Sequence, residues 1–331
     1  RTEDLSVRRQ TSVLLSVLVV VLSGSRLVSE SRIELNMSWT VKGVNRTHTD
    51  FPFDQNKEWK EPFIFVQGAD TQLGMFQDFE EITTEPKWAQ EIALAELAVQ
   101  KVNQMKPRPK FYVICGDLCH AFYDKSPEER AAQDADFKRI FSKVDPSIAV
   151  VCVCGNHDVG DKPTVEIIDK YKSNYGDDYF SFYAGGVFFI CINSQLYHST
   201  SAPEENEAHD KWLNTQLDIA RGLEVPSIMF QHVPWFHTDP ERTVEDYFEI
   251  DYTIRKKMLD KLVDAGVKYV FCGHLHKNGG GKYKQLECVV TTAIGKQLGT
   301  DLSGMRVVKV YKDRVEHQYY PLSEIPAEIT L

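Results

Sequence analysis

The 331-residue chain carries 38 lysine and arginine against 48 aspartate and glutamate side chains, a formal net charge of −10. With 42% hydrophobic and 26% charged residues it has the composition of a folded globular protein, which excludes a disordered or collagen-like chain. The acidic balance argues against a nucleic-acid partner or a basic membrane-surface protein, but it leaves phosphate chemistry open, because metal ions can supply the missing positive charge.

In chain order, the first feature is an apolar run at residues 13–22, preceded by Arg8 and Arg9 and followed by Ser23-Gly24-Ser25. It is too short for stable membrane insertion and has the anatomy of a signal-peptide core. Two glycosylation sequons follow, Asn36-Met37-Ser38 and Asn45-Arg46-Thr47. The cysteines oppose a secretory reading. There are seven, irregularly spaced, and Cys115, Cys152, Cys154, Cys191 and Cys272 sit in or beside apolar runs, where they read as small buried hydrophobes of a reducing compartment. The expectation is therefore a cytoplasmic protein translated from Met37, with residues 1–36 outside the natural fold. A secretory protein is the alternative if residues 13–25 act as a signal. Residues 37–59 read as a lead-in and 60–325 as a single domain, with a monomer expected.

From about residue 60, strands and helices alternate. Short, nearly continuous apolar runs at 63–66, 111–115, 148–154, 187–192, 228–230 and 267–272 read as strands covered on both faces. Between them, Trp88, Ile92, Ala95, Val99 and Val102 mark one helical face. Ser126-Pro127-Glu128-Glu129 offers a helix start with an N-cap, a first-turn proline and a capping-box glutamate. Residues 252–265 form a periodic helix closed by Gly266. The acidic stretch Glu204-Glu205-Asn206-Glu207 reads as a solvated helix start, and Gly279-Gly280-Gly281 as a flexible loop. Beyond residue 285 the runs at 286–292, 306–311 and 314–320 are strands without a long helix between them. This pattern suggests a parallel-rich α/β layer with a β-rich second layer formed by the C-terminal end.

Hard and borderline metal ligands cluster at five strand ends: Gly68-Ala69-Asp70-Thr71-Gln72, Gly116-Asp117-Leu118-Cys119-His120, Gly155-Asn156-His157-Asp158, Gln231-His232 and Gly273-His274-Leu275-His276. Each cluster alone resembles an ordinary turn. Because ligands of open α/β sheets gather outside the carboxyl ends of the strands, five such ends would converge on one crevice. Phosphate-ester hydrolysis needs anionic charge neutralised, a nucleophile generated near neutral pH and the leaving oxygen stabilised, and a pair of metals does all three. The oxygen and nitrogen donor set suits Mn²⁺, Fe, Zn²⁺ or Mg²⁺ and lacks the thiolates of a structural zinc site.

Together these motifs resemble the calcineurin-like metallophosphoesterase superfamily, and within it a group described as cytosolic serine/threonine protein phosphatases. The resemblance implies a two-layer mixed β-sandwich flanked by helices (an α/β, or α+β, architecture) with a dinuclear metal centre at one edge. It implies that Asp70, Gln72, Asp117 and His276 hold one divalent ion, and that Asp117, Asn156, His232 and His274 hold the other. His157 would be the catalytic histidine near the leaving oxygen, with Asp158 orienting and polarising it, and a phosphoprotein would be the substrate. Two positions depart from the superfamily pattern. Gln72 stands where histidine is usual, so the first ion is expected to be held more loosely and to favour Mn²⁺ or Mg²⁺. No arginine follows Asp117 to clamp phosphate; His120 is either a substitute for it or a hydrogen-bonded loop residue. Trp235, with Phe236, either walls the substrate cleft or packs in the core. A small-molecule phosphodiesterase or nucleotide hydrolase on the same centre, and a catalytically silent binding scaffold, are the competing functions.

Overall fold

The computed structural model describes residues 39–331 except 53 and 54. The apolar run at 13–22, the sequon at Asn36 and the choice of Met37 as a start lie outside the described residues. Residues 37–331 belong to one compact unit.

In chain order the strands are β1 (Gly43–Val44), β2 (Thr47–His48), β3 (Phe63–Gly68), β4 (Phe111–Cys115), β5 (Ala149–Val153), β6 (Phe180–Ala184), β7 (Val187–Cys191), β8 (Ser227–Phe230), β9 (Val267–Cys272), β10 (Gly279–Tyr283), β11 (Leu286–Val290), β12 (Gly304–Val310) and β13 (Val315–Pro321). The helices are α1 (Ala89–Gln104), α2 (Pro127–Phe141), α3 (Asn156–Val159), α4 (Val165–Tyr175), α5 (Gln195–His198), α6 (Pro203–Arg221) and α7 (Tyr252–Asp264). Two mixed sheets face each other. One runs β13-β12-β3-β4-β5 and the other β10-β11-β9-β8-β7-β6.

The continuous apolar runs follow from this layering, because alternate side chains of each strand enter different cores. Phe65, Phe111, Val113, Phe189, Phe230 and Phe271 point between the sheets. Ile64, Val66, Tyr112 and Ile114 point outward, against Val99 of α1, Phe137 of α2 and Ile168 of α4. Ile190, Met229 and Val270 face Leu213 of α6 and Leu259 of α7 on the other side. The result is the helix-flanked β-sandwich implied by the family resemblance.

The C-terminal strands do not form a layer of their own. β11 pairs parallel with β9 in the second sheet, whereas β12 returns to the first sheet, antiparallel to β3. Local periodicity specifies a strand but not its neighbour, so this division was not readable from the pattern. The triple glycine is part of the edge strand β10, paired antiparallel with β11, rather than a flexible loop. A Cβ at Gly280, where φ is +116°, would collide with the Cys288 carbonyl. Pro127 opens α2 as read, but Ser126 makes no side-chain cap bond, and Glu129 accepts from Gln77 and Gln133 instead. The presumed lead-in is built into the domain: Trp39 packs edge-on against Phe137 and Tyr175, and Phe51 stacks on Phe182. Asn45 and Arg46 of the second sequon form the tight turn between β1 and β2, both at positive φ. All seven cysteines are free and buried. No helix among the described residues is long and apolar enough to cross a membrane.

His209 in α6 is fully buried among Tyr179, Tyr197 and Trp212, and neither ring nitrogen has a hydrogen-bonding partner. Burial holds its pKa down at about 4, so the folded protein keeps it neutral where the unfolded chain would protonate it. Its stabilising effect is complete above pH 6.5 and is lost as pH falls towards 4, amounting to about 3 kcal/mol. In urea unfolding of chelator-treated protein, His209→Phe is expected to flatten the decline of stability between pH 6.5 and 4. An unchanged slope would remove His209 as its source.

Candidate metal centre

The carboxyl ends of β3, β4 and β5 in one sheet and β8 and β9 in the other open onto the same edge of the sandwich. Their loops are tied together by backbone hydrogen bonds: Asp70 N to Gly116 O (3.0 Å), Gln72 N to Asp117 O (2.9 Å) and Gly273 N to His232 O (3.1 Å). Gln67 of β3 crosses to the other sheet, where its amide donates to the Cys272 carbonyl at 3.1 Å.

On this edge the predicted ligands converge. Asp117, His232 and His274 form one group, and Asp70, Asp117 and His276 another, with the ligand atoms in each lying within 4.8 Å of one another. All five are buried, and Asp117 belongs to both. Asn156 adds its Oδ1 at 3.1 Å from His232 Nε2. Gln72, whose backbone N–H donates to the Asp117 carbonyl, has its Oε1 buried and without any protein partner. Asp70, Gln72, Asp117, His274 and His276 all adopt positive φ, between 36° and 73°. Left-handed backbone at non-glycine residues costs roughly 1–3 kcal/mol each and persists only where the surroundings impose it. Here five such residues form a single pocket.

The far nitrogen of each histidine is fixed by a backbone carbonyl: His232 Nδ1 by Cys115 at 2.8 Å, His274 Nε2 by Tyr247 at 3.1 Å and His276 Nδ1 by Lys296 at 2.5 Å. Each therefore turns its other nitrogen inward, where loss of any proton it carries would free a lone pair for a cation, the arrangement that metal-ligating histidines require. Asn156 is oriented in the same way. Its amide nitrogen donates to Asp161 and to the Tyr247 hydroxyl, at 3.0 and 2.9 Å, leaving the oxygen for the pocket. Small residues make the room. A Cβ at Gly155 would strike the Asp117 carboxylate, and one at Gly273 would strike that of Asp70.

The pocket attracts positive charge. Burial opposes protonation of His232, yet the carboxylates of Asp117 and Asp70 outweigh it and hold this imidazole up at about 9. Burial and the charge on His232 push His274 well below the usual histidine range. Convergent oxygen and nitrogen donors, an orphaned amide oxygen and glycines that clear the carboxylates all fit divalent cations.

His157 stands beside the pocket and belongs to neither ligand group. Its Nδ1 donates to the His120 carbonyl at 2.5 Å, and its ring lies between His120 and Phe122, with centroids 4.8 and 4.3 Å away. Asp158 is not the expected orienting partner of His157. The Asp158 carboxylate accepts instead from Gly155 N (2.8 Å), Leu118 N (3.2 Å) and Arg130 Nη2 (2.9 Å), stapling the second strand-end cluster to the third. Burial raises the Asp158 pKa to about 6 even though the Arg130 guanidinium opposes the shift.

Arg130 was not singled out in the sequence. It is fully buried in α2, binding Asp134 and Asp158 and the carbonyls of Ala121 and His157. Its position four residues before Asp134 and seven before Phe137, on the core face of the helix, was the available signal. Arg130→Met is expected to lower stability by about 3–5 kcal/mol, since it leaves Asp158 and Asp134 buried without their counter-charge. A loss under about 1 kcal/mol in urea unfolding would contradict this role.

For each of the two substrate-contact candidates the structure matches the non-binding alternative. Trp235 and Phe236 are fully buried core residues, not walls of a cleft. Both ring nitrogens of His120 are engaged, one by Gln72 and one by Asp78, which leaves neither for phosphate. The aromatics beside the centre are Tyr247 and Phe248, whose rings lie 5.1 and 5.5 Å from that of His274. They come from the loop between β8 and α7, which carries no periodic signal.

A family model for calcineurin-like phosphoesterases matches residues 65–278. The chain belongs to the calcineurin-like phosphoesterase family. Among this family's members, the serine/threonine-protein phosphatase CPPED1 of Homo sapiens is 45% identical over 285 residues, covering 85% of this chain and 90% of that protein. The Danio rerio protein of the same name is 38% identical over 292 residues, covering 86% and 93%. A solved dimetal phosphatase from Danio rerio shares the fold at a TM-score of 0.57 with 14% identity, over 80% of this chain and 98% of that one. The phosphoesterase match spans all five strand-end clusters.

Proposed function

We propose that this phosphoesterase hydrolyses phosphoserine and phosphothreonine monoesters of proteins with two divalent metal ions. Asp70, Gln72, Asp117 and His276 would hold one ion, and Asp117, Asn156, His232 and His274 the other. The observation that carries this reading is the buried Asp117 carboxylate shared by two ligand groups. The protein substrate is supported by relatives named serine/threonine-protein phosphatase at 38% to 45% identity over most of their length. Free cysteines, all buried, support a cytoplasmic location.

When bound, the two ions would neutralise phosphate charge and lower the pKa of water. The chain's own residues do the rest. Asp117 supplies negative charge to both positions, and each carbonyl-fixed histidine keeps its other nitrogen aimed at the pocket. His157, with Nδ1 committed to the His120 carbonyl, keeps Nε2 for the leaving oxygen, to which the imidazolium form can pass a proton. The oxygen leaves as the serine or threonine hydroxyl. Tyr247 and Phe248 line the His274 side of the centre.

The test is turnover of phosphoserine and phosphothreonine peptides against a panel of nucleotides and phosphodiesters, after chelation and reloading with Mn²⁺, Fe²⁺, Zn²⁺ or Mg²⁺. Metal-dependent release of phosphate from the peptides is the expected result. Preferential cleavage of nucleotides or diesters would move the substrate to small molecules. Metal binding without turnover of any panel member would make the protein a scaffold.

A further inference from the structure

We propose that His120, backed by Asp78, is a positioning residue that fixes the orientation of the Gln72 amide, so that its oxygen rather than its nitrogen faces the first metal position. The inference rests on the reading of Gln72 as a metal contact, one of the two places where the sequence departs from the superfamily pattern it resembles.

The geometry forms a short relay from solvent to the pocket. The Asp78 carboxylate, 57% exposed, lies 2.9 Å from His120 Nε2. A carboxylate only accepts, so Nε2 carries the proton and Nδ1 of the neutral ring is left as an acceptor. Gln72 Nε2 lies 3.2 Å from that Nδ1 and donates to it. An amide whose nitrogen is so engaged must turn its oxygen away, and Gln72 Oε1 is the buried atom that has no protein partner. The flipped amide would set oxygen against the Nδ1 lone pair and aim two N–H donors at a site meant for a cation.

His120 is itself held firmly. Its backbone N–H is shared between the Leu73 carbonyl and Gln133 Oε1, each at 3.1 Å, and its ring stacks on His157. A histidine at position 72 would need only its tautomer fixed, since either ring nitrogen can serve as the donor atom to a metal. A glutamine needs its whole amide fixed, because its two ends are different atoms of opposite polarity. Residues that orient metal ligands in this manner typically contribute 10- to 100-fold to metal affinity.

The experiment is calorimetric titration of Mn²⁺ into chelator-stripped protein, with bound ions counted by elemental analysis. Wild type, His120→Phe, Asp78→Asn, Gln72→Ala and the His120→Phe/Gln72→Ala double variant are compared. Phenylalanine keeps the stack on His157 while removing the acceptor. His120→Phe is expected to weaken one of the two ions by roughly 10- to 100-fold and to leave the other unchanged. Asp78→Asn should weaken the same ion less, by several-fold, because it loosens the choice of tautomer. In the Gln72→Ala background, His120→Phe should have no further effect, the signature of two residues acting as one unit. If Gln72→Ala leaves both affinities unchanged, Gln72 is not a metal contact, and the assignment fails together with this inference. If Gln72→Ala weakens one ion but His120→Phe and Asp78→Asn do not, the inference alone fails. An equal effect of His120→Phe with and without Gln72 would also overturn it, as the sign of a general packing role. Should His120→Phe not fold, the solvent-facing Asp78→Asn decides, by whether it weakens the first ion.

Discussion

Asp117→Asn is expected to lower kcat on the order of 10³-fold and to strip bound metal from both positions, because one carboxylate contributes charge to two ligand groups. The substitution is nearly isosteric, so packing provides no competing explanation. The retained amide oxygen can still accept the His157 backbone N–H, which lies 2.8 Å from Asp117 Oδ1. Burial works against ionisation of Asp117, but His232 and His157 outweigh it and hold its pKa well below the ordinary carboxylate range. The wild-type group is therefore charged at any working pH, and the variant removes a full unit of charge. It also takes away the buried partner of His232, which lies 3.3 Å from the Asp117 carboxylate. The metal-free variant should therefore be less stable than metal-free wild type, and the metal-loaded proteins should differ still more in thermal stability. The measurement is kcat with metal content by elemental analysis and paired melting curves. Two retained ions with near wild-type turnover would end the bridging assignment.

His157→Gln is expected to cost about 10²–10⁴ in kcat, the usual scale for a positioned acid–base group. Metal content should stay constant, since His157 belongs to neither ligand group. Its orientation comes from the His120 carbonyl at Nδ1 and from the rings of His120 and Phe122, so the loss should not be reproduced by altering Asp158 alone. Asp158→Asn should instead behave as a stability variant, because its carboxylate staples two loops to Arg130. The two substitutions are separated by urea unfolding and by kinetics on substrates of differing leaving-group pKa. A better leaving group needs less protonation, so the defect of His157→Gln should shrink on aryl phosphates. A defect that is constant across leaving groups would place His157 outside proton transfer.

The candidate ligands are legible in the sequence because they occur where β3, β4, β5, β8 and β9 end, and strand ends are marked by the loss of apolar continuity. The same local signal located most of the strands and the helices that cover them. It could not say that β12 pairs with β3 rather than with β11. That choice depends on how twisted sheets stack and which faces remain to be covered, and a strand only seven residues long carries no record of its neighbour.

The residues that hold the ligands in place were the least legible. Asp78, Arg130, Asp161 and Tyr247 lie in a short helical turn, on a helix face and in two loops; Asp161 meets Asn156 five positions away, and the other contacts join residues between 27 and 91 positions apart. Sequence patterns report a residue's own preference for burial and backbone shape. By itself the sequence determined the elements, the set of candidate ligands and the phosphoesterase family. Tertiary structure decided that Asp117 is shared, that Asp158 serves Arg130 rather than His157, that Trp235 is core, and that His120 faces Gln72. Each of those depends on a hydrogen bond or a contact across the fold, whose partner is chosen by distance and desolvation in the folded protein rather than by spacing along the chain.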